Sequence, residues 1–569
     1  MAEQNECREI IVSEDYADFM TIHGGDENLL DRLNNPTCIQ SISQQFISLY
    51  YPLVENLEGE FPYFLYAAIP RLFGLVDRSS MEASGISRVH NQPGLNLQGS
   101  GVLIGILDTG IDYTNPIFRY EDGTSKIVAI WDQTIQEGTT PRIFNYGSEY
   151  TREDINRALQ SEDPYAIVPS RDENGHGTFM AGIAGGREDA AADFIGAAPL
   201  AEFIIVKLKP AKQYLRQYYR IRDGVEAFQE NDIMMAMSYI SYTARVLGRP
   251  LSMCIGLGSN SGPHDGSLYI SRLLDNLAVL PYITICIAAG NETNLAHHFE
   301  GVLQERDEYR DVEIRVGPGE KGFLLELWGT SPDIFSVAIL SPTGEYVERI
   351  PARLNQSQRI NFLLEDTVID VNYLLVEPSS GRSLISMRFT DPTEGIWTIR
   401  VYGTNIVHGR FDLWLPLDGF ISPDTYFLSP SPYTTITIPS ATINTITVGG
   451  YNHVNGSIYI NSGRGYTVSN QLEPDIVAPA VNVYGPLPGG RFGVRSGTSI
   501  AAAHTAGASA LLLEWGILKG NVPFMNTSDV KEYLIRGAGR SPERNYPNRE
   551  WGYGTLDLYN AFEVIKPRL

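Results

Sequence analysis

The chain has 569 residues, too many for one simple core, so two to four domains are expected. Its formal net charge of −24 argues against nucleic acid as a partner, because phosphate binding needs a basic footprint. Hydrophobic residues make up 43% of the chain, enough for a sizeable buried core.

The opening "MAEQNECREIIV" has neither a basic leading region nor an apolar run, so no secretory signal is expected and synthesis is assigned to the cytoplasm. Residues 1–80 contain no lysine and four arginines against thirteen acids. Pieces such as "REIIVSEDY", "TCIQSISQQFISLYYPL" and "YFLYAAIPRLFGLV" read as a small α/β module, and "LVDRSSMEASG" as a polar linker. Cys7, Cys38, Cys254 and Cys286 form no CxxC pair, and buried free thiols are expected for them.

From residue 81 to 299 the grammar is that of strands alternating with helices. "GVLIGILDTG" is a continuous apolar run ending in Asp and Gly, as a parallel strand buried on both faces reads. "AEFIIVKLK", "LSMCIGLG" and "YITICIAAGN" repeat it, with helix-like "RIRDGVEAFQENDI" and "GSLYISRLLDNLAV" between them. A doubly wound α/β parallel sheet follows, with chemistry expected at the carboxyl ends of its strands. Residues 300–431 are short strands punctuated by Gly, Pro, Asp and Ser, which reads as an inserted antiparallel β-sandwich. His297 and His298 at its entrance are expected to be exposed loop residues. The α/β pattern resumes over 432–569. The longest nearly apolar stretch, residues 501–518, carries His504 and Glu514 and suits a buried core helix, not a membrane span.

"SGTSIAAAHTAG", residues 496–507, puts Ser499 where a turn runs into a helix. Its neighbour His504 is a poor base: five residues along a helix turn it by about 140° beyond a full turn and carry it about 7.5 Å away. His176, between Gly175 and Gly177, is a better one, able to take a proton from Ser499 if a buried carboxylate fixes its tautomer. Asp108, at the end of an apolar strand, qualifies. Asp112, past the turn glycine, reads as a solvated turn residue. Asn291, just beyond an apolar strand, and the Ser499 N–H are candidate oxyanion donors.

"LDTGID", "NGHGT", "AAGN" and "GTSIAAAHTAG", in that chain order, resemble the four signature motifs of subtilisin-like serine proteases. The resemblance implies a catalytic triad of Asp108, His176 and Ser499, with Asn291 in the oxyanion hole. It matches Ile255, Gly256, Leu257, Gly258 and Ser259 to the segment that pairs with substrate and walls the first specificity pocket. The chain resembles more closely the Csp germination proteases of clostridia. That likeness implies an N-terminal prodomain that stays bound after cleavage, a jelly-roll insert, packaging in spores and a spore-cortex hydrolase zymogen as substrate. Where the family carries a calcium loop, "GREDAAADFIGAAP" has alanines in place of side-chain oxygens, so no metal and no cofactor are assigned.

The resulting expectation is an active serine endopeptidase acting on protein or peptide substrates. Its rival is a silent regulatory pseudoprotease that binds partners. The apolar end of the module is expected to add a strand to Ile255–Ser259, with self-cleavage between about Asp77 and Glu82 and the freed module still bound. The insert is expected to stabilise more than it catalyses.

Overall fold

The computed structural model describes residues 4–22, 36–43, 45–53, 68–70, 72–75, 80–353 and 357–565. The N-terminal module has a helix α1 (Gln4–Val12) and strands β1 (Tyr16–Ile22), β2 (Cys38–Ser41) and β3 (Phe46–Pro52). The strands form an antiparallel sheet in the order β1-β3-β2. Ile10, Ile11, Met20, Phe46 and Tyr50 share one hydrophobic core with Leu103, Ile204 and Met253 of the central sheet, so the module is built onto it. Cys7 and Cys38 are joined in a disulfide, contrary to the expectation of four free thiols. Folding lays α1 on β2 and brings the two cysteines to a Cα–Cα distance of 5.5 Å, a proximity that spacing in the sequence does not reveal. Cys254 and Cys286 are free and buried, as expected. A further strand, β4 (Leu72–Leu75), ends the module.

The central sheet has nine strands. Its first strands in chain order are β5 (Leu103–Asp108), β6 (Ile127–Asp132), β7 (Ser148–Thr151) and β8 (Glu202–Lys207). After a short β9 (Phe228–Gln229) come β10 (Leu251–Ile255), the short β11 (Leu257–Gly258) and β12 (Ile283–Ala288). The parallel run is β6-β8-β5-β10-β12, extended by Ile446–Asn452 and Ile476–Pro479; β7 and Ser457–Ile458 are antiparallel additions. Every residue of β5, β10 and β12 is buried, which explains their unbroken apolar sequences. On one face lie helices α2 (His176–Gly185) and α5 (Thr498–Leu513), both wholly buried and rich in small residues. On the other lie α3 (Glu230–Leu247) and α4 (Tyr269–Ala278). The stretch read as a helix over 220–233 is helical only from Glu230. A turn at Gly224, with φ +75°, and the pairing of Phe228–Gln229 as β9 claim the residues before it.

Between β12 and Ile446–Asn452 the chain builds two antiparallel sheets, of six and five strands, around a shared core that includes Leu327, Phe389, Trp397 and Phe411. His297 and His298 are not exposed loop residues, being 4% and 2% accessible. His298 opens the first strand of the insert, and its Nε2 lies 3.2 Å from Asp412 Oδ1. His297 Nδ1 meets Glu292 Oε2 at 2.9 Å. A buried carboxylate beside each imidazole lets both histidines sit in the seam between insert and sheet. Burial works against ionisation of Asp412, yet the His298 hydrogen bond and the nearby Arg410 and Arg382 hold it down to about 2. Among the described residues no helix is long and apolar enough to cross a membrane.

Candidate active site

Asp108 is the last residue of β5, at the carboxyl edge of the parallel sheet. It is fully buried, and its Oδ1 accepts the Thr109 N–H at 2.8 Å. His176 opens α2 directly after Gly175, whose φ of +85° gives the tight turn into the helix. A side chain on Gly177 would strike the Gly110 carbonyl and Asp108, so glycine there lets α2 approach the end of β5. The His176 Nδ1 lies 2.8 Å from Asp108 Oδ1 and 2.9 Å from Oδ2. Its Nε2 lies 3.1 Å from Ser499 Oγ. Asp108, His176 and Ser499, from three distant parts of the chain, thus form one hydrogen-bonded row. With Nδ1–H donating to the carboxylate, Nε2 is the acceptor facing the hydroxyl.

Asp172 frames the histidine turn. Its Oδ1 accepts the Gly175 N–H and the Thr109 hydroxyl, and its Oδ2 accepts the N–H and hydroxyl of Thr178. Asp112 is buried instead of solvated. Its carboxylate accepts bonds from Thr114 and from the Gly489 N–H, tying the β5 turn to a distant hairpin.

Ser499 is the second residue of α5, so its N–H points out of a helix start. Asn291 Oδ1 accepts the Thr498 N–H at 3.1 Å and the Thr498 hydroxyl at 3.2 Å. Both bonds use Oδ1, so the Asn291 NH2 takes no part in holding Thr498, the residue before Ser499. Thr498 was not singled out from the sequence, although it adjoins the nucleophile candidate. His504 points elsewhere, as its helical position implies: Nδ1 donates to the Ile500 carbonyl, and Nε2 accepts the Ser80 N–H at 2.6 Å. Burial pushes its pKa down to about 3.

Ile255–Ser259 run alongside. The expected added strand forms: β4 pairs antiparallel with β11, Leu75 opposite Leu257 and Gly74 opposite Gly258. The other edge of β4 pairs with β9, Leu72 opposite Gln229 and Phe73 opposite Phe228. The chain's own segment therefore occupies a slot between two backbone walls that leads to Ser499. The expected cut begins at residues 77–79, outside the described residues, and its window ends on Ser80–Glu82.

In "GREDAAADFIGAAP", Asp189 Oδ1 accepts the N–H groups of Ala191 and Ala192, closing the loop on itself. Among the described residues no group of three or more His, Cys, Asp or Glu is placed to hold a metal ion.

Residues 99–310 and 428–554 match the subtilase family. The chain is 38% identical to subtilisin of Bacillus pumilus over 79 residues, 14% of this chain and 26% of that protein. It is 33% identical to the mouse membrane-bound transcription factor site-1 protease over 139 residues, 23% of this chain and 13% of that one. Each match thus spans only about a quarter or less of the relative's length. The structure of the Clostridium perfringens CspB protease is similar over 86% of this chain and 99% of its own, with 33% identity and a TM-score of 0.77. The chain belongs to the subtilase family of serine peptidases.

Proposed function

We propose that this protein is an active serine endopeptidase that cleaves its own N-terminal module and then a protein substrate. The observation that carries the reading is the Asp108–His176–Ser499 row standing at the end of the β4 slot. Ser499 Oγ attacks the peptide carbonyl while His176 Nε2 takes its proton. Asp108 holds the ring in the required tautomer and stabilises the imidazolium. The Ser499 N–H and the Asn291 amide meet the oxyanion, and His176 returns the proton to the leaving amine. Water then repeats the sequence on the acyl-enzyme.

The slot already contains β4, so the first substrate is the chain itself, at high effective concentration. Self-cleavage falls between about Asp77 and Glu82, residues 1–80 act as the prodomain, and the freed module remains bound as a partner. A strand left in the groove is also what a binding-only regulatory protein would carry, so turnover must be shown directly. The likeness to CspB supports a role in activating a spore-cortex hydrolase zymogen, with the protein packaged in spores.

A denaturing gel tests self-processing. Wild type is expected to run as a small and a large fragment that co-elute under native conditions, and Ser499→Ala as one full-length band. An uncut wild type, or a Ser499→Ala protein cut at the same site, would refute it.

A further inference from the structure

Resting on the self-processing reading above, we propose that His504 is a positioning residue for self-cleavage. Its ring holds the Ser80 N–H, so the leaving side of the chain's own cut is pinned to the helix that carries Ser499, and the cut falls before Ser80. On the acyl side the chain is held by β4, whose Gly74 and Leu75 lie opposite Gly258 and Leu257. That wall continues into Gly256, where a Cβ would lie 2.9 Å from the Ser499 Cβ. The acyl-side tether thus ends one step short of the position beside the nucleophile.

On the leaving side the chain is held again from Ser80 onward. The Ser80 N–H donates to His504 Nε2 at 2.6 Å. Ser84, fully buried, donates its hydroxyl to the Met81 carbonyl at 2.9 Å. The Leu558 N–H donates to the Ser84 carbonyl at 2.9 Å, tying this run to the start of the helix Leu558–Ile565. Ser80 has a φ of +143°, in the region that favours glycine. A serine keeps such a backbone only where its surroundings hold it there.

His504 is suited to this task. It lies on α5 five residues after Ser499, about 7.5 Å further along the axis, so it is no base for the nucleophile. Its Nδ1 donates to the Ile500 carbonyl at 2.9 Å, which fixes the tautomer and leaves Nε2 as an acceptor. Burial pushes its pKa down to about 3, so near neutral pH the ring is uncharged and Nε2 is free of a proton. The five peptide steps from Leu75 to Ser80 span at most about 17 Å. A chain tied at both ends over so short a run brings only its own few bonds to Ser499. Losing the second tether lets that run sample positions that Ser499 cannot attack.

The test follows processing of the full chain by pulse labelling during cell-free synthesis, and reads the cleaved bond from the mass of the small fragment. Wild type is expected to be cut at one bond before Ser80. His504→Asn keeps a donor for the Ile500 carbonyl but lacks the acceptor. It should be cut at least tenfold more slowly, with the cut spread over more than one bond. His504→Gln, whose amide oxygen takes the place of Nε2, should recover most of the rate and the single bond. Ser80→Pro removes the N–H itself and should behave like His504→Asn, which decides the matter if the His504 variants do not fold. Ser80→Gly keeps the N–H and should be cut like wild type. The proposal is overturned if the cut lies after Ser80, if the asparagine and proline variants are cut at the wild-type bond and rate, or if the glutamine variant is as slow as the asparagine one. An uncut wild type would overturn the self-processing reading and the anchor together; normal cutting that no anchor variant changes would overturn the anchor alone.

Discussion

Asp18, in the first strand of the N-terminal module, is buried against Lys212 of the catalytic layer, Oδ1 to Nζ at 2.5 Å. Its Oδ2 also accepts from the side chains of Gln229, at 2.8 Å, and Asn231, at 3.0 Å. Gln229 belongs to β9, one wall of the β4 slot. The module is thus bonded to the wall that borders the groove as well as to the groove itself. This geometry gives a cut module reason to stay.

Asp18→Ala should leave Lys212 buried without its carboxylate. Removing one partner of a buried pair costs about 3–5 kcal/mol. A lower melting temperature and loss of co-elution of the small fragment are expected. Asp18→Ala together with Lys212→Met should recover part of the stability. A variant that melts and elutes like wild type would show that the pair does not hold the module.

Trp414 of the insert packs against the loop that follows Ile255–Ser259. Its ring stacks between His264 and His298, at centroid distances of 4.1 and 4.8 Å. His264 in turn contacts the carbonyls of Asn260 and Ile436, and Asn260 donates to Leu415 of the insert. Trp414→Ala is expected to cost about 3–5 kcal/mol and to lower peptidase activity through the wall. Urea unfolding checks the first and peptide hydrolysis the second. Unchanged stability would contradict a buttressing role.

Asn291→Ala should lower kcat by about 10² to 10³ with little change in KM, a magnitude measured in a subtilisin and so in this family. Thr498→Ala should lower kcat less, because it removes only the hydroxyl bond to Asn291 Oδ1 and keeps both the Thr498 N–H bond and the donor. Steady-state kinetics on one peptide decides both. A loss under tenfold for Asn291→Ala would reduce that residue to a turn former.

Stability should fall as pH drops below about 6.5, the ordinary histidine value. Burial pushes the pKa of His504 down to about 3 and that of His264 down to about 4. Between those values and about 6.5 the unfolded chain binds protons that the folded chain refuses. Their contribution is therefore complete above about 6.5 and lost on acidification, by up to about 1.4 kcal/mol per pH unit for each histidine. Urea midpoints at pH 7 and pH 5 measure it, and His504→Gln should flatten the dependence. A slope unchanged in that variant would contradict the assignment.

The Asp108–His176–Ser499 row was legible mainly through the resemblance of four motifs in chain order to the subtilisin-like signatures, since an Asp ending an apolar strand, a His between glycines or a Ser opening a small-residue run is a weak signal by itself. The parallel sheet was legible from local pattern, since strands buried on both faces are apolar throughout. The Ser80–His504 contact was not, because it joins residues 424 apart in the chain. The Cys7–Cys38 bridge and the burial of His298 were hidden likewise. Each depends on which elements meet, and a histidine pair beside acids reads as exposed until Asp412 and Glu292 are found facing it. The helix expected before Glu230 failed because pairing with β4 outweighs local helix pattern.

The most direct measurement is mass spectrometry of the protein after treatment with a fluorophosphonate. One adduct on Ser499 of wild type is expected, with none on Ser499→Ala and strongly reduced labelling of His176→Ala. An unlabelled wild type, or an adduct on another residue, would contradict the assignment of Ser499 as the nucleophile.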